Sequence, residues 1–175
     1  MEAEGLPFTF DTLEVGTRLL SRGRTITEAD HGIFMMLSGD WEPIHCDEEY
    51  AKTTPLGRRI VHGTFGITLA MGGLQAGVLK SSDPLIAALG IKEWNYRAPL
   101  FVGDTVHLEI EIVSKRVTSK GDRYIVERLM RLINQHGIVV QDGRAESMWQ
   151  KTGGVAAPGA AEVRSGAPAP TRATE

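Results

Sequence analysis

Asp40 and His45 stand five residues apart in the stretch SGDWEPIHCDEEY, and both side chains can carry protons. A fully extended chain would separate them by up to about 17 Å, so residues 41–44 must turn if the two are to act on one molecule. Pro43 supplies a constraint, since it fixes its own φ and restricts Glu42 before it. Gly39 can adopt a positive φ and stop a preceding helix where Asp40 is presented. A carboxylate and an imidazole held together can grip one water and move protons to and from it. An ordinary histidine pKa of about 6.5 suits that work near neutral pH. Taken alone, the spacing better fits a loop aspartate that caps a turn and does no chemistry.

A second stretch adds to the first. Ile60–Gly63, IVHG, leads into TFGITLAMGGLQAGVLK, which reads as a helix with Gly63 at its start. Backbone N–H groups at a helix start lack intrahelical acceptors, and the helix dipole is positive there, so such a position can stabilise an oxyanion. Acid, base and oxyanion donor are together what the addition of water to an activated double bond requires.

Ser38–Gly39–Asp40, Pro43, His45, Asp47 and Ile60–Val61–His62–Gly63 resemble the double signature of the MaoC-like dehydratases, the (R)-specific enoyl-CoA hydratases of the hot-dog fold. The resemblance runs from about Thr12 to Lys151. It implies that Asp40 and His45 form the catalytic pair and that the backbone N–H of Gly63 is the oxyanion hole. It also implies an acyl-CoA thioester as substrate, with coenzyme A part of that substrate and no separate cofactor. A homodimer or a multiple of dimers follows from the same resemblance. Trp41, Glu42, Arg58, Arg59 and His62 are candidate substrate contacts, the arginines because paired guanidinium groups suit phosphate. Glu42 stands where the family usually has Asn, and a carboxylate so near Asp40 bears on its pKa and on substrate choice. Two other functions share this fold: an acyl-CoA thioesterase, and a low-activity acyl-CoA-binding partner subunit, the latter suggested by Glu42 and the bulky Trp41.

The chain's composition restricts the alternatives. At 175 residues it is long enough for one well-cored domain, and 42% hydrophobic with 23% charged residues is ordinary for a globular protein. A net charge of −3 gives no reason to expect nucleic acid or anionic membrane as partner. The single cysteine, Cys46, excludes an internal disulfide framework and fits a reducing cytoplasm. No metal is expected, because a second cysteine is lacking and His45, Asp47 and His62 match no zinc spacing. The N-terminus is acidic and shows no secretory pattern, and the apolar run from Ile60 to Leu79 is interrupted by His62, Gln75 and five glycines, which argues against a membrane span.

The expected architecture is α+β: a curved antiparallel sheet of about five strands around a central glycine-rich helix. Its elements are a strand from Thr17 to Ile26, a helix capped by Thr27 and ended by Gly39, and a short helix from Asp47 to Lys52. The central helix, Thr64–Leu79, is apolar on every side, which predicts burial all round, and Gly66, Ala70, Gly73 and Gly77 line one stripe where a sheet can approach closely. Strands follow at Ile91–Ala98, with Trp94 and Tyr96 on one face, and at Asp104–Val113, where Val106, Leu108, Ile110 and Ile112 alternate with polar residues. Residues 123–134 satisfy both a helical and a strand period. Hairpin signals on both sides, and the resemblance, favour a strand. The last strand is Ile138–Lys151, with a bulge expected at Asp142–Gly143. His31 reads as a solvated or packed histidine. Residues 1–11 are expected to be a loose arm, 12–151 the domain, and 152–175 a disordered Ala/Gly/Pro-rich tail.

Overall fold

A computed structural model describes residues 8–152. Six strands form one antiparallel sheet in the order β1-β4-β5-β6-β3, with β2 also paired to β4. They are β1 (Arg18–Leu20), β2 (Arg24–Thr25), β3 (Leu85–Tyr96), β4 (Thr105–Val117), β5 (Arg123–Asn134) and β6 (Val139–Gln150). The expected strand over 17–26 is broken in two. Between its halves Ser21 donates its N–H to Leu108 while its hydroxyl accepts from the N–H of Leu108, so a side chain takes the place of a backbone partner.

The sheet core follows from alternation. On β4 Val106, Leu108, Ile110 and Ile112 are buried, as the period-2 pattern predicts. On β5 the buried face is Tyr124, Val126, Arg128, Met130, Leu132 and Asn134. An arginine in the middle of that face is what hid the strand pattern in the sequence.

The long central helix is three pieces in series: α4 (Gly63–Leu69), a π-helical turn over Ala70–Leu74, and α5 (Gln75–Val78). Gly72 leaves helical geometry, with φ −101° and ψ −114°. Phe65, Leu69, Ala70 and Leu74 share one core cluster with the sheet. Burial is not all round, because Thr64, Thr68, Gly72, Gly73, Ala76 and Gly77 are exposed. The small-residue stripe therefore divides. Gly66 lies where a Cβ would collide with the Gln141 amide, whereas Gly73 and Gly77 face open space.

Two further expectations are corrected. Strand β3 begins at Leu85 instead of Ile91, and the bulge lies on β3, where Glu93 and Trp94 together oppose Gly143. Glu93 has φ 50°, and the Trp94 ring occupies the space that a side chain at Gly143 would need. The arm is not loose over residues 8–11. Phe8 donates its N–H to Lys80 and packs on Trp149, while Phe10 donates to the Asp83 carboxylate and packs on Tyr124. Asp83 also accepts from the Tyr124 hydroxyl and from Thr152, the first residue of the expected tail. Positions 1–7 and 153–175 lie outside the described residues. Among the described residues, no helix is long and apolar enough to cross a membrane.

Candidate active site

Helix α1 (Glu28–Ser38) delivers Asp40. Thr27 caps it, accepting from the Asp30 N–H, and the Asp30 carboxylate accepts in return from the Thr27 N–H. Gly39 ends it with φ 68°, a conformation that suits glycine. Beyond it, the Asp40 carboxylate accepts from the Glu42 N–H at 3.2 Å, so a turn holds the side chain. Pro43 then opens the short helix α2 (Pro43–Cys46), which carries His45. Asp47 caps α3 (Glu48–Lys52) through the Tyr50 N–H.

The two predicted proton carriers meet. His45 Nε2 lies 4.0 Å from Asp40 Oδ2, and both belong to the wall of one site, His45 being mostly buried and Asp40 half-exposed. That separation is too long for a direct hydrogen bond and suits a third polar atom held between them. The His45 tautomer is fixed by its other nitrogen. Nδ1 sits 2.8 Å from the carbonyl oxygen of Ile60, which can only accept, so Nδ1 carries a proton, and in the neutral ring Nε2 keeps the lone pair on the side where Asp40 lies.

His62 ties this pair to the central helix. Its Nε2–H donates to the carbonyl oxygen of Asp40 at 3.0 Å and lies 3.8 Å from Asp40 Oδ2. Its ring stacks on that of His45 with centroids 3.8 Å apart. At 1% exposure His62 contacts the pair from inside the protein. His31 completes a cluster of three imidazoles. Fully buried on α1, it packs 5.4 Å from His62 and 6.4 Å from His45, and neither of its ring nitrogens has a hydrogen-bond partner. Burial pulls the His31 pKa down, His62, Arg59 and His45 push the same way, and Glu28 opposes them. His31 is thus the packed histidine of the two readings, but it packs on the site. The one signal in the sequence was its place four residues before Met35, the other buried residue of α1.

Nitrogen atoms of His31, His45 and His62 lie within 4.8 Å of one another. A metal ion binds in the plane of each imidazole it takes. The stacked rings of His45 and His62 cannot share such a point, so the arrangement does not offer a common metal position.

Gly63 directly follows His62 and is the first residue of α4. Its peptide is clamped from below: Gln141 Nε2 donates to the Gly63 carbonyl at 3.0 Å, and Trp94 Nε1 donates to Gln141 Oε1 at 3.0 Å. The Tyr96 ring lies against Gly63 so closely that a Cβ would sit 2.6 Å from it. These three supports, Trp94, Tyr96 and Gln141, come from the sheet and carry no motif by which the sequence could reveal them.

The remaining candidates separate in role. Arg59 is bound by Glu48 and Glu28, both at 2.9 Å, and so links the starts of α1 and α3. Arg58 instead lies over the Phe101 ring at 3.7 Å, in a shallow cleft shared with Val102, Glu28 and Glu48. Trp41 and Glu42 are exposed. Cys46, also exposed, donates its thiol to the Trp41 carbonyl.

An antiparallel sheet packed on a glycine-rich helix defines a hot-dog protein, and here Asp40 and His45 lie beside the start of that helix. Residues 12–130 match the MaoC like domain, and the chain belongs to that family. It is 37% identical over 120 residues to Protein MaoC of Klebsiella aerogenes, matching 68% of this chain but spanning only 34% of that protein. It is 30% identical over 135 residues to an (R)-specific enoyl-CoA hydratase of Aeromonas caviae, covering 77% of this chain and 93% of the relative. Among solved structures, a MaoC-like dehydratase from Rhodospirillum rubrum superposes with a TM-score of 0.72 at 26% identity, over 82% of this chain and 97% of that one.

Proposed function

We propose that this protein is an (R)-specific enoyl-CoA hydratase, which adds water across the double bond of an enoyl thioester or removes it in reverse. The observation that carries the reading is the 4.0 Å gap between His45 Nε2 and Asp40 Oδ2, beside the start of α4. A water held in that gap would attack the β-carbon and lose a proton to the pair. The π electrons move onto the thioester oxygen, where the Gly63 N–H accommodates the charge. The pair then returns a proton to the α-carbon. One C–O and one C–H bond replace the π bond, and no other reactant is needed. Delivery of both groups from one side of the substrate makes the addition syn, and the (R) configuration follows the (R)-specific hydratase relatives. The lone pair on His45 Nε2 fits the role of base towards the water.

A second copy of the chain fits the free edge of β3, where Leu85, Ile86, Leu89, Ile91 and Tyr96 expose apolar surface at the end of the sheet. Tyr96 touches Gly63, so an acyl chain entering there would pass close to that interface.

The test is hydration of crotonyl-CoA, followed as loss of the conjugated enoyl-thioester absorbance, in the wild type and in Asp40→Asn. Asparagine can still accept the Glu42 N–H, so the turn survives while the acid–base function is lost. Turnover should fall by about 10²- to 10⁴-fold. Near wild-type turnover in the variant, or release of free thiol in place of hydration, would refute the assignment.

A further inference from the structure

The proposed chemistry makes no use of β5, yet β5 carries the largest fully buried side chain. Arg128 is 1% exposed on the helix-facing side of the sheet, in register with Ile112 on β4 and Ala145 on β6. Its Nη1 donates to Gln75 Oε1 at 2.8 Å, its Nε has no acceptor, and no carboxylate pairs with it among the described residues. Burial lowers its pKa to about 10, which leaves it a cation at neutral pH. A buried cation without a counter-charge is strongly unfavourable, and an apolar residue of similar volume would pack there without that penalty. Packing alone therefore does not account for an arginine at this position.

Its position relative to the site gives the cation a use. On β6 the buried series is Gln141, Gly143, Ala145 and Ser147. Gln141 holds the Gly63 peptide, and Ala145 is the register partner of Arg128. Four residues of strand put Arg128 about 13 Å along the sheet from the oxyanion end. Between Gln141 and Ala145 the same face of β6 carries only Gly143, and the Trp94 ring fills the space over it. Above this point the helix is irregular. The backbone kinks at Gly72, and Gln75 follows to accept from the guanidinium.

We propose that Arg128, oriented by Gln75, binds a carboxylate at the far tip of the substrate's acyl group, so that the preferred substrate is the enoyl thioester of a dicarboxylic acid. A guanidinium presents paired N–H donors that match a carboxylate edge, and the unpartnered Nε is one such donor. The proposal rests on the hydratase reading and extends it to substrate class.

The experiment compares trans-2-enoyl-CoA esters of six, eight and ten carbons with and without an ω-carboxylate, in the wild type, Arg128→Met and Arg128→Lys. Crotonyl-CoA serves as the common reference, and each protein's melting temperature is recorded. The wild type should favour one carboxylate-tipped ester by on the order of 10²-fold in kcat/KM over its alkyl counterpart. Arg128→Met should abolish that preference while hydrating crotonyl-CoA normally, and Arg128→Lys should keep part of it. The proposal is overturned if the wild type shows no such preference. It is also overturned if Arg128→Met loses stability and all substrates equally, which would make the residue structural. If free suberate or phosphate raises the wild-type melting temperature through Arg128 without any substrate preference, the site binds a separate anion and the substrate assignment fails. Crotonyl-CoA turnover tests the hydratase reading independently of all these outcomes.

Discussion

Replacing His62 by leucine and by glutamine tests how the acid–base pair is held. His62 donates one hydrogen bond to the Asp40 carbonyl at 3.0 Å and stacks on His45 at 3.8 Å. Leucine removes both. The hydrogen bond contributes about 1 kcal/mol and the ring contact about 0.5–1.5 kcal/mol. Loss of the buried, unpartnered His62 Nδ1 returns part of this, so the expected destabilisation is about 1–2 kcal/mol. Activity should suffer more. With its carbonyl released, the Asp40 loop can drift, and a misplacement of about 1 Å costs on the order of 10²-fold in rate. That corresponds to about 2.7 kcal/mol of transition-state stabilisation, expressed mainly in kcat. Glutamine restores an amide N–H near the position of Nε2 and should recover activity to within about tenfold of wild type, the difference being the lost stacking. Crotonyl-CoA hydration gives kcat and KM, and thermal melting gives stability. A leucine variant with wild-type kcat would refute the positioning role even if its melting temperature fell. A glutamine variant no better than leucine would show that the donated hydrogen bond is not what matters.

Two further outcomes follow from the same geometry. Arg58, which lies over Phe101 and is engaged by no carboxylate among the described residues, should contact the coenzyme A phosphates. Arg58→Ala should therefore raise KM for crotonyl-CoA by about tenfold while leaving the N-acetylcysteamine thioester unaffected; an equal change with both esters would place Arg58 elsewhere. The His31 imidazole is held below its ordinary pKa chiefly by burial, so the unfolded chain takes up that proton at a higher pH than the folded one. Its contribution to stability is full above about pH 6.5 and is lost as pH falls towards the folded value. The wild-type melting temperature should then decline more steeply than that of His31→Phe between about pH 7 and pH 5, and parallel curves would exclude His31 as the cause.

What the sequence made legible was local. Asp40 and His45 are presented by features that act within a few residues, the Gly39 stop and the Pro43 turn. The clean alternation on β4 revealed its buried face for the same reason. What stayed hidden depends on partners distant in the chain. The break in the first strand depends on Leu108 and the hold on Phe10 on Asp83. The β3 bulge depends on space at Gly143, and the clamp on Gly63 depends on Gln141 and Trp94. Arg128 concealed its strand because a period-2 reading assumes that buried positions are apolar.

The two halves of the sequence signature form one mechanical unit. In the first half, neither Asp40 nor His45 holds the other, since their side chains are 4.0 Å apart. The anchors come from the second half. Ile60 fixes the His45 ring through its carbonyl, and His62 fixes Asp40 through the backbone and His45 through stacking. Gly63 follows one residue later, so a shift of this segment would move the pair and the start of α4 together. The second half thus does more than open a helix. It sets the spacing of the pair and registers that spacing to the start of α4. Without the residues that precede Gly63, the Asp-x4-His turn would be only the capped loop that its spacing alone favours.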